Sequence, residues 1–330
     1  MNTVPTHRLA AGAACAFLLL GSQLSAQAAD APAGRWAQVG ADVFGFPDGV
    51  YRTQGITTDG TNVYFSWQFG LEKTDAHYNE IARNSTYALT PGGITLPQSG
   101  IPASLSSLGY DHIGDIDVAN GKIYASLDDS QTTPHYDQPA VAVYDAATLQ
   151  YTGTLFTLNP PDGHMDVASW VAVDAADNLA YGMAYNHATE LAVYDLSDFS
   201  FVRYIPLSQS LDQVQGGKIF GDWMYMSSND DSRSVYRTNL KDGTVEDLFS
   251  VKQPYDQEVE GLSVTADAQG DPLVSVLVTN NPLDSSNPLD ENVTLYHFDE
   301  VAAVPEPANA ALMFAAIGLM GFVGMRRRRG

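Results

Sequence analysis

Through the middle of the chain, apolar and polar positions alternate in short runs broken by Asp, Asn and Gly, and one plan recurs in five segments. Each begins with an apolar strand, turns at a polar pair and returns through a strand with aromatic or small residues at its centre. The segments are Gln54-Gly55-Ile56 to Val63-Tyr64-Phe65-Ser66, Asp115-Ile116-Asp117-Val118 to Ile123-Tyr124-Ala125-Ser126, and Ser169-Trp170-Val171-Ala172-Val173 to Leu179-Ala180-Tyr181. Gln215-Gly216-Gly217-Lys218-Ile219 to Met224-Tyr225-Met226-Ser227 and Glu260-Gly261-Leu262-Ser263-Val264 to Leu273-Val274-Ser275-Val276 complete the set. Asp59-Gly60, Asn120-Gly121, Asp177-Asn178, Gly221-Asp222 and Gln269-Gly270 supply the turns. A period of two with such punctuation predicts strands joined as hairpins.

A third strand follows each pair, clearest in Ala140-Val141-Ala142-Val143-Tyr144-Asp145 and its near copy Glu190-Leu191-Ala192-Val193-Tyr194-Asp195. Thr86-Tyr87-Ala88-Leu89 is the weaker counterpart in the first unit, and fourth strands are expected at Gln150 to Phe156, Phe201 to Leu207 and Thr244 to Phe249. Antiparallel four-strand units repeated about every fifty residues predict an all-β fold, a single β-propeller. The fifth unit runs out of chain after its third strand, near Glu300, and Trp36 to Val43 has no other partner, so this N-terminal strand is expected to close the last blade. Closure hides edges that would otherwise pair between molecules. Five blades result, or six if Ile94 to Asp111 holds irregular strands.

Both ends of the chain read differently. His7 and Arg8, the apolar stretch Leu9 to Leu20 and the small residues Ala26-Gln27-Ala28 form an export signal over 1–28. At the other end Val304-Pro305-Glu306-Pro307, an apolar run from Ala310 to Met325 and Arg326 to Arg329 make a three-part tail over 304–330. Sixteen residues of helix span about 24 Å, slightly short of a bilayer core, and the arginines stop transfer. The tail resembles the PEP-CTERM sorting signal, with Pro305, Glu306 and Pro307 as its motif. That resemblance implies an exosortase-type processing enzyme as partner, and a place at the cell envelope, outer surface or extracellular matrix. An ordinary C-terminal membrane anchor, holding the chain through the same hydrophobic helix, is the other reading.

Between the tails, 29–303 reads as one domain. Arg8 and the four terminal arginines fall outside it and leave 11 of 16 basic residues; Glu306 alone falls outside among 39 acidic ones and leaves 38, so its formal charge is −27. Such a surface repels nucleic acid and attracts divalent cations. The single cysteine, Cys15, lies in the export signal, so an exported domain has to be held by its core without disulfides. Serine-hydrolase elbow, zincin, cysteine-pair, phosphate-loop and linear calcium-loop motifs are absent from the sequence. Trp67, Trp170 and Trp223 fall in or beside strands and are assigned to blade packing ahead of sugar stacking.

In an antiparallel four-strand meander, the loop into the first strand and the loop joining the second to the third share one face. Aligning the blades through their second-strand aromatics makes Gln54, Ser169, Gln215 and Glu260 equivalent, with Asp115 one residue beyond its counterpart Gly114. These side chains are expected to converge on the central channel, joined by His112, His164, Asp128 and Asp230 from the neighbouring loops. A ring of oxygen donors suits calcium, with Glu260, Asp115, Gln215 and Gln54 as metal ligands, Ser169, His164, Asp128 and Asp230 as ligand-binding residues, and His112 as a catalytic base.

The pattern resembles extracytoplasmic propellers of the SMP-30/gluconolactonase-like, NHL-like and phytase-like class, on the phrase Glu258-Val259-Glu260-Gly261-Leu262. The resemblance implies a channel calcium held by Glu, Asn and Asp; Glu260 and Asp115 match in type, whereas Gln54, Gln215 or Ser169 stand where asparagines are expected. The leading reading is an exported, acidic binding module for an exopolysaccharide or envelope protein, calcium-dependent in one form. A calcium-dependent hydrolase of the lactonase or phosphoesterase kind is the alternative, and a ligand-free scaffold a third.

Overall fold

The computed structural model describes residues 35–90, 93–130, 138–161, 167–253, 257–280 and 292–301. The export signal, the sorting motif with its apolar tail, and His164 lie outside the described residues. Among the described residues no helix is long and apolar enough to cross a membrane.

Five four-stranded antiparallel sheets form the domain. The first holds β2 (Ile56–Thr58), β3 (Val63–Trp67), β4 (Gly70–Thr74) and β5 (Glu80–Arg83), after β1 (Arg35–Phe44). A separate hairpin, β6 (Thr86–Thr90) with β7 (Gly93–Gln98), and a single helical turn, α1 (Ala103–Ser106), lead to the second sheet. That sheet comprises β8 (His112–Ala119), β9 (Lys122–Asp128), β10 (Ala140–Asp145) and β11 (Tyr151–Thr157). The third contains β12 (Ala172–Asp174), β13 (Leu179–Gly182), β14 (Ala188–Asp195) and β15 (Phe201–Leu211). The fourth contains β16 (Val214–Phe220), β17 (Trp223–Ser228), β18 (Ser234–Asn239) and β19 (Val245–Ser250). The last has β20 (Gln257–Ala266), β21 (Pro272–Asn280) and β22 (Asn292–Val301), and takes β1 as its outer strand.

The ring is a five-bladed β-propeller closed by the N-terminal strand, as the repeat predicts. β1 runs antiparallel to β22 from Trp36↔Glu300 to Phe44↔Val293, with a register shift between Gln38 and Gly40. Asn120 and Gly121 both adopt positive φ, at 51° and 72°, between β8 and β9. Mirror-image turns of this kind match the strand twist, which is why Asn-Gly is read as a hairpin signal.

The core is divided into five layers between blades. Along β10, Ala140 and Ala142 pack toward Tyr64 and Leu71 of the first blade, with Ile113 of their own, while Val141 and Val143 pack toward Ala180, Ala192 and Tyr194 of the third blade. Successive strand residues point to opposite faces, and here both faces are covered by a neighbouring blade. Trp170 and Met224 belong to the next layer, Tyr225 and Leu262 to the one after, and Phe44, Ile56, Phe65, Leu277 and Val293 seal the last blade to the first. Trp170 occupies the position that is glycine in the first, fourth and fifth blades and Asp115 in the second. Its indole lies flat against Gly217, where an added Cβ would sit 2.4 Å from Cε3.

The first blade departs from expectation. Thr86 to Leu89 is not its third strand; Gly70–Thr74 is, followed by Glu80–Arg83, and Thr86–Thr90 pairs with Gly93–Gln98 outside the sheet. The charged pair Glu72-Lys73 disguised the strand. Glu72 is fully buried because two arginines neutralise it: Arg52 Nε and Arg83 Nη2 each approach its carboxylate at 2.6 Å. Arg52 also lies over the rings of Phe44 and Phe65, 4.4 and 4.8 Å from their centroids. The stretch 94–111 holds part of the hairpin and the helical turn, with no sixth blade.

Removing residues 35–44 uncovers the edge of β22 and one face of the sealing layer, so cooperative unfolding should be lost and the protein should associate in size-exclusion chromatography. The milder Trp36→Ala, which removes ring contacts to Tyr225 and Phe249, should cost about 2 kcal/mol by the large-to-small rule for a half-buried site. Denaturant titration measures it.

Candidate functional site

Each first strand starts at one end of the ring, and serines on the second strands hold these starts together. Ser66 Oγ donates to the Gly114 carbonyl of the next blade at 2.7 Å, and Ser227 Oγ to the Glu260 carbonyl at 2.5 Å. Ser126 Oγ lies 2.7 Å from Asp115 O and 3.2 Å from Ser169 O. Gly261 N–H donates to Gln54 O at 2.7 Å, joining the fifth blade to the first. These bonds fix the spacing of the residues that precede them. A Tyr-x-Ser pattern at Tyr64, Tyr124 and Tyr225 is the signal in the sequence.

A cavity of about 480 Å³ opens there, lined by Gln54, His112, Asp128, Ser169, Gln215 and Glu260. Six residues expected at the mouth are therefore brought together. Val167, Tyr185, Asn186 and Glu258 also line it; Val167, Asn186 and Glu258 lie in loops expected at this end, and none of the four is among the candidate site residues. Glu258 had a readable signal, since its i, i+2 spacing from Glu260 on a strand favours a shared face. Tyr185 and Asn186 come from the loop between β13 and β14, a second-to-third-strand loop of the expected face; Asn186 is one of its polar residues, and nothing local in the sequence marks Tyr185.

Glu260 is 3% exposed, and no described residue hydrogen-bonds its carboxyl group. Burial, and then the charges of Glu258 and Asp115, push its pKa well above the ordinary carboxylate range. The protonated acid is favoured. His112 begins β8, pairs in register with Asp128 at the end of β9, and places Nδ1 3.1 Å from Asp128 Oδ1. Asp128 is buried, which raises its pKa, while the bond to His112 opposes the rise. A carboxylate on Nδ1 orients the ring and selects its tautomer.

Asp115 and Asp230 are placed differently from expectation. Asp115 is turned away from the cavity lining: Lys218 Nζ donates to its Oδ2 at 2.6 Å, Gly217 N–H to the same oxygen at 3.2 Å, and Ile56 N–H to Oδ1 at 3.2 Å. Burial raises its pKa to about 6, with the Lys218 ammonium holding it down. The bulge between Ile113 and Ile116 in β8 explains the turn, because one extra residue re-aims the side chain. Asp230 staples its own loop, accepting from Ser232 N–H, Ser234 N–H and the Tyr236 hydroxyl, the last at 2.7 Å. Farther along the same first strands a second cavity of about 200 Å³ is lined by Thr57, Asp117, Lys218 and Ser263. Among the described residues no three Asp, Glu, His or Cys side chains converge as a metal site.

No protein-family model matches the chain, and no curated protein matches it. Among solved structures, the chain is similar to the glutaminyl cyclase of Myxococcus xanthus, with 10% identity and a TM-score of 0.50 over 81% of this chain and 98% of that one. It is also similar to the hydrazine synthase of Kuenenia stuttgartiensis, with 12% identity and a TM-score of 0.41 over 70% and 76% of the two chains. At such identity the first likeness speaks for the fold.

Lys218→Met leaves Asp115 buried without its cation and should cost about 3–5 kcal/mol by denaturant titration, with Asp115→Asn in the same chain restoring much of it. Glu260 titrates the other way from a paired carboxylate. Its folded pKa is raised, so the unfolded state binds fewer protons, and stability is lost as pH climbs from the ordinary carboxylate range through the raised value. Glu260→Gln should therefore melt above the parent at pH 8 and show no such advantage at pH 4, in paired thermal scans.

Proposed function

We propose that this chain is an exported acidic propeller that works at its axial cavity on an uncharged carbonyl compound, an ester, lactone or amide. The observation that carries the reading is the buried carboxyl of Glu260, without a hydrogen-bond partner among the described residues, in the same cavity as the His112–Asp128 pair. A buried carboxylic acid that can donate a proton and an imidazole oriented by a carboxylate, set in one cavity, are the parts that acid–base catalysis requires. His112 removes a proton from water as its oxygen attacks the carbonyl carbon. Glu260 donates its proton to the departing oxygen or nitrogen as the bond to carbon breaks, and Gln54 and Gln215 offer amide groups to orient the substrate. No lysine or arginine lines the described cavity, which favours a neutral carbonyl over a phosphoester.

Calcium fits in part. Glu260, Gln54 and Gln215 surround one cavity as oxygen donors, whereas Asp115, expected as the fourth, is held by Lys218. Bound there, the ion would ionise Glu260 and polarise a carbonyl; the acid–base steps above use only this chain's own groups. A binding module for an exopolysaccharide or envelope protein is the second reading, favoured by the domain charge of −27. Export, the sorting signal with its exosortase-type partner, and membrane attachment through the C-terminal segment belong to the proposal and rest on the sequence.

Aryl esters, lactones and N-terminal glutaminyl peptides, the last suggested by the name of the Myxococcus neighbour, form the test panel. Turnover should follow a bell-shaped pH profile, and Glu260→Gln and His112→Ala should each lower kcat by about 10²–10⁴. Indifference of every turnover to both substitutions would remove the catalytic reading. A rise in melting temperature at millimolar calcium that Glu260→Gln abolishes would restore the ion to the site.

A further inference from the structure

A cavity of about 450 Å³ adjoins the axial one and shares Gln54, Glu258 and Glu260 with it as a common wall. Its far side carries four apolar side chains among the polar Thr53, Gln68 and Thr95: Val50 from the segment before β2, Trp67 and Phe69 from the end of β3 and the turn after it, and Leu96 from the β6–β7 hairpin. Leu96 comes from β7, so the β6–β7 hairpin, which breaks the four-strand plan, completes this wall. The wall is held in place before any ligand arrives. Trp67 is 4% exposed, donates Nε1–H to Ser85 Oγ at 2.8 Å, and meets Tyr51 and Phe69 edge-on at centroid distances of 5.4 and 5.3 Å.

We propose that this compartment is the apolar subsite of the axial cavity and that the substrate carries an aromatic or branched aliphatic group beside its carbonyl and bears no negative charge; the proposal rests on the acid–base reading of Glu260 given above. Geometry sets the order of the parts. A carbonyl at Glu260 places one arm toward His112 and Ser169 and the other toward Trp67 and Leu96. Each compartment lies within the range of roughly 300–1,000 Å³ usual for small-molecule pockets, and apolar walls with a few convergent polar groups are their normal lining. Charge sets the class. No lysine or arginine lines either described cavity, while Glu258 stands on the shared wall beside the neutral acid of Glu260, so an anionic ligand would find no countercharge and a neutral or cationic one is favoured.

The full chain is assayed with phenylalanine methyl ester, alanine methyl ester and N-succinyl-phenylalanine methyl ester, and titrated calorimetrically with benzylamine and methylamine. The phenylalanine ester should exceed the alanine ester in kcat/KM by tenfold or more, and the succinylated ester should fall at least tenfold below its parent. Benzylamine should bind more tightly than methylamine. Leu96→Ser, on the half-exposed hairpin, and Phe69→Ala should each reduce both the ester ratio and the benzylamine affinity at least fivefold. Without ester turnover, selective benzylamine binding that Leu96→Ser weakens would support the subsite and sink only the catalytic reading. Turnover without preference for the aromatic ester, and without effect of Leu96→Ser, would overturn the subsite and leave the catalytic reading standing. Absence of turnover together with equal binding of the two amines would overturn both.

Discussion

The pairing of β1 with β22 is the contact on which the rest of the molecule depends. It joins the two ends of the described domain, so its loop-closure entropy is among the largest in the fold, and nothing local offsets that cost. What offsets it is the layer it completes, in which Phe44, Ile56, Phe65, Leu277, Val293 and Leu295 pack the last blade against the first. Until that layer forms, two blades each expose an apolar face. Once it forms, every blade is covered on both sides and the starts of the first strands are drawn into one ring.

Ring closure also creates the chemistry, because it takes polar residues out of water in a small space. Asp115 and Glu260 show how differently two carboxyl groups fare there. Asp115 has an ammonium 2.6 Å away and two backbone donors, so it is an internal brace despite its burial. Glu260 has like charges for neighbours and no described donor, so burial drives it toward the neutral acid. Side chains of one chemical type acquire separate roles from their surroundings alone. The serine bonds to Gly114, Ser169 and Glu260 carbonyls keep that difference fixed, since they set the backbone from which both groups project.

Asymmetry enters through the first blade. A repeat with five equal units would present five equal walls to the channel. Arg52, Glu72 and Arg83 instead bury a charged strand inside that blade, and the next segment leaves the sheet as a hairpin. The buried arginine lies over the rings of Phe44 and Phe65, so the charge network and the closing layer are one structure. The compartment beneath the hairpin follows from this departure. Irregular units in a repetitive fold are where a site gains direction, because there the symmetry no longer dictates what lines the axis.

Blade number, the closing strand and the turn positions were legible in the sequence because each depends on local pattern: alternation in Ala140 to Asp145, Asn-Gly at 120–121, and a leftover strand at Trp36 to Val43. The location of Gln54, His112, Asp128, Ser169, Gln215 and Glu260 at one mouth was legible too, since the meander fixes which loops share an end. Tertiary structure alone decided the rest. A bulge in β8 turned Asp115 to Lys218, a residue 103 positions away. Two arginines made the charged Glu72 a buried strand residue, and Tyr185 reached the cavity from a loop in which nothing local marks it. Strand alternation is a property of neighbours in the chain, whereas the partner that neutralises or abandons a buried charge is a property of neighbours in space.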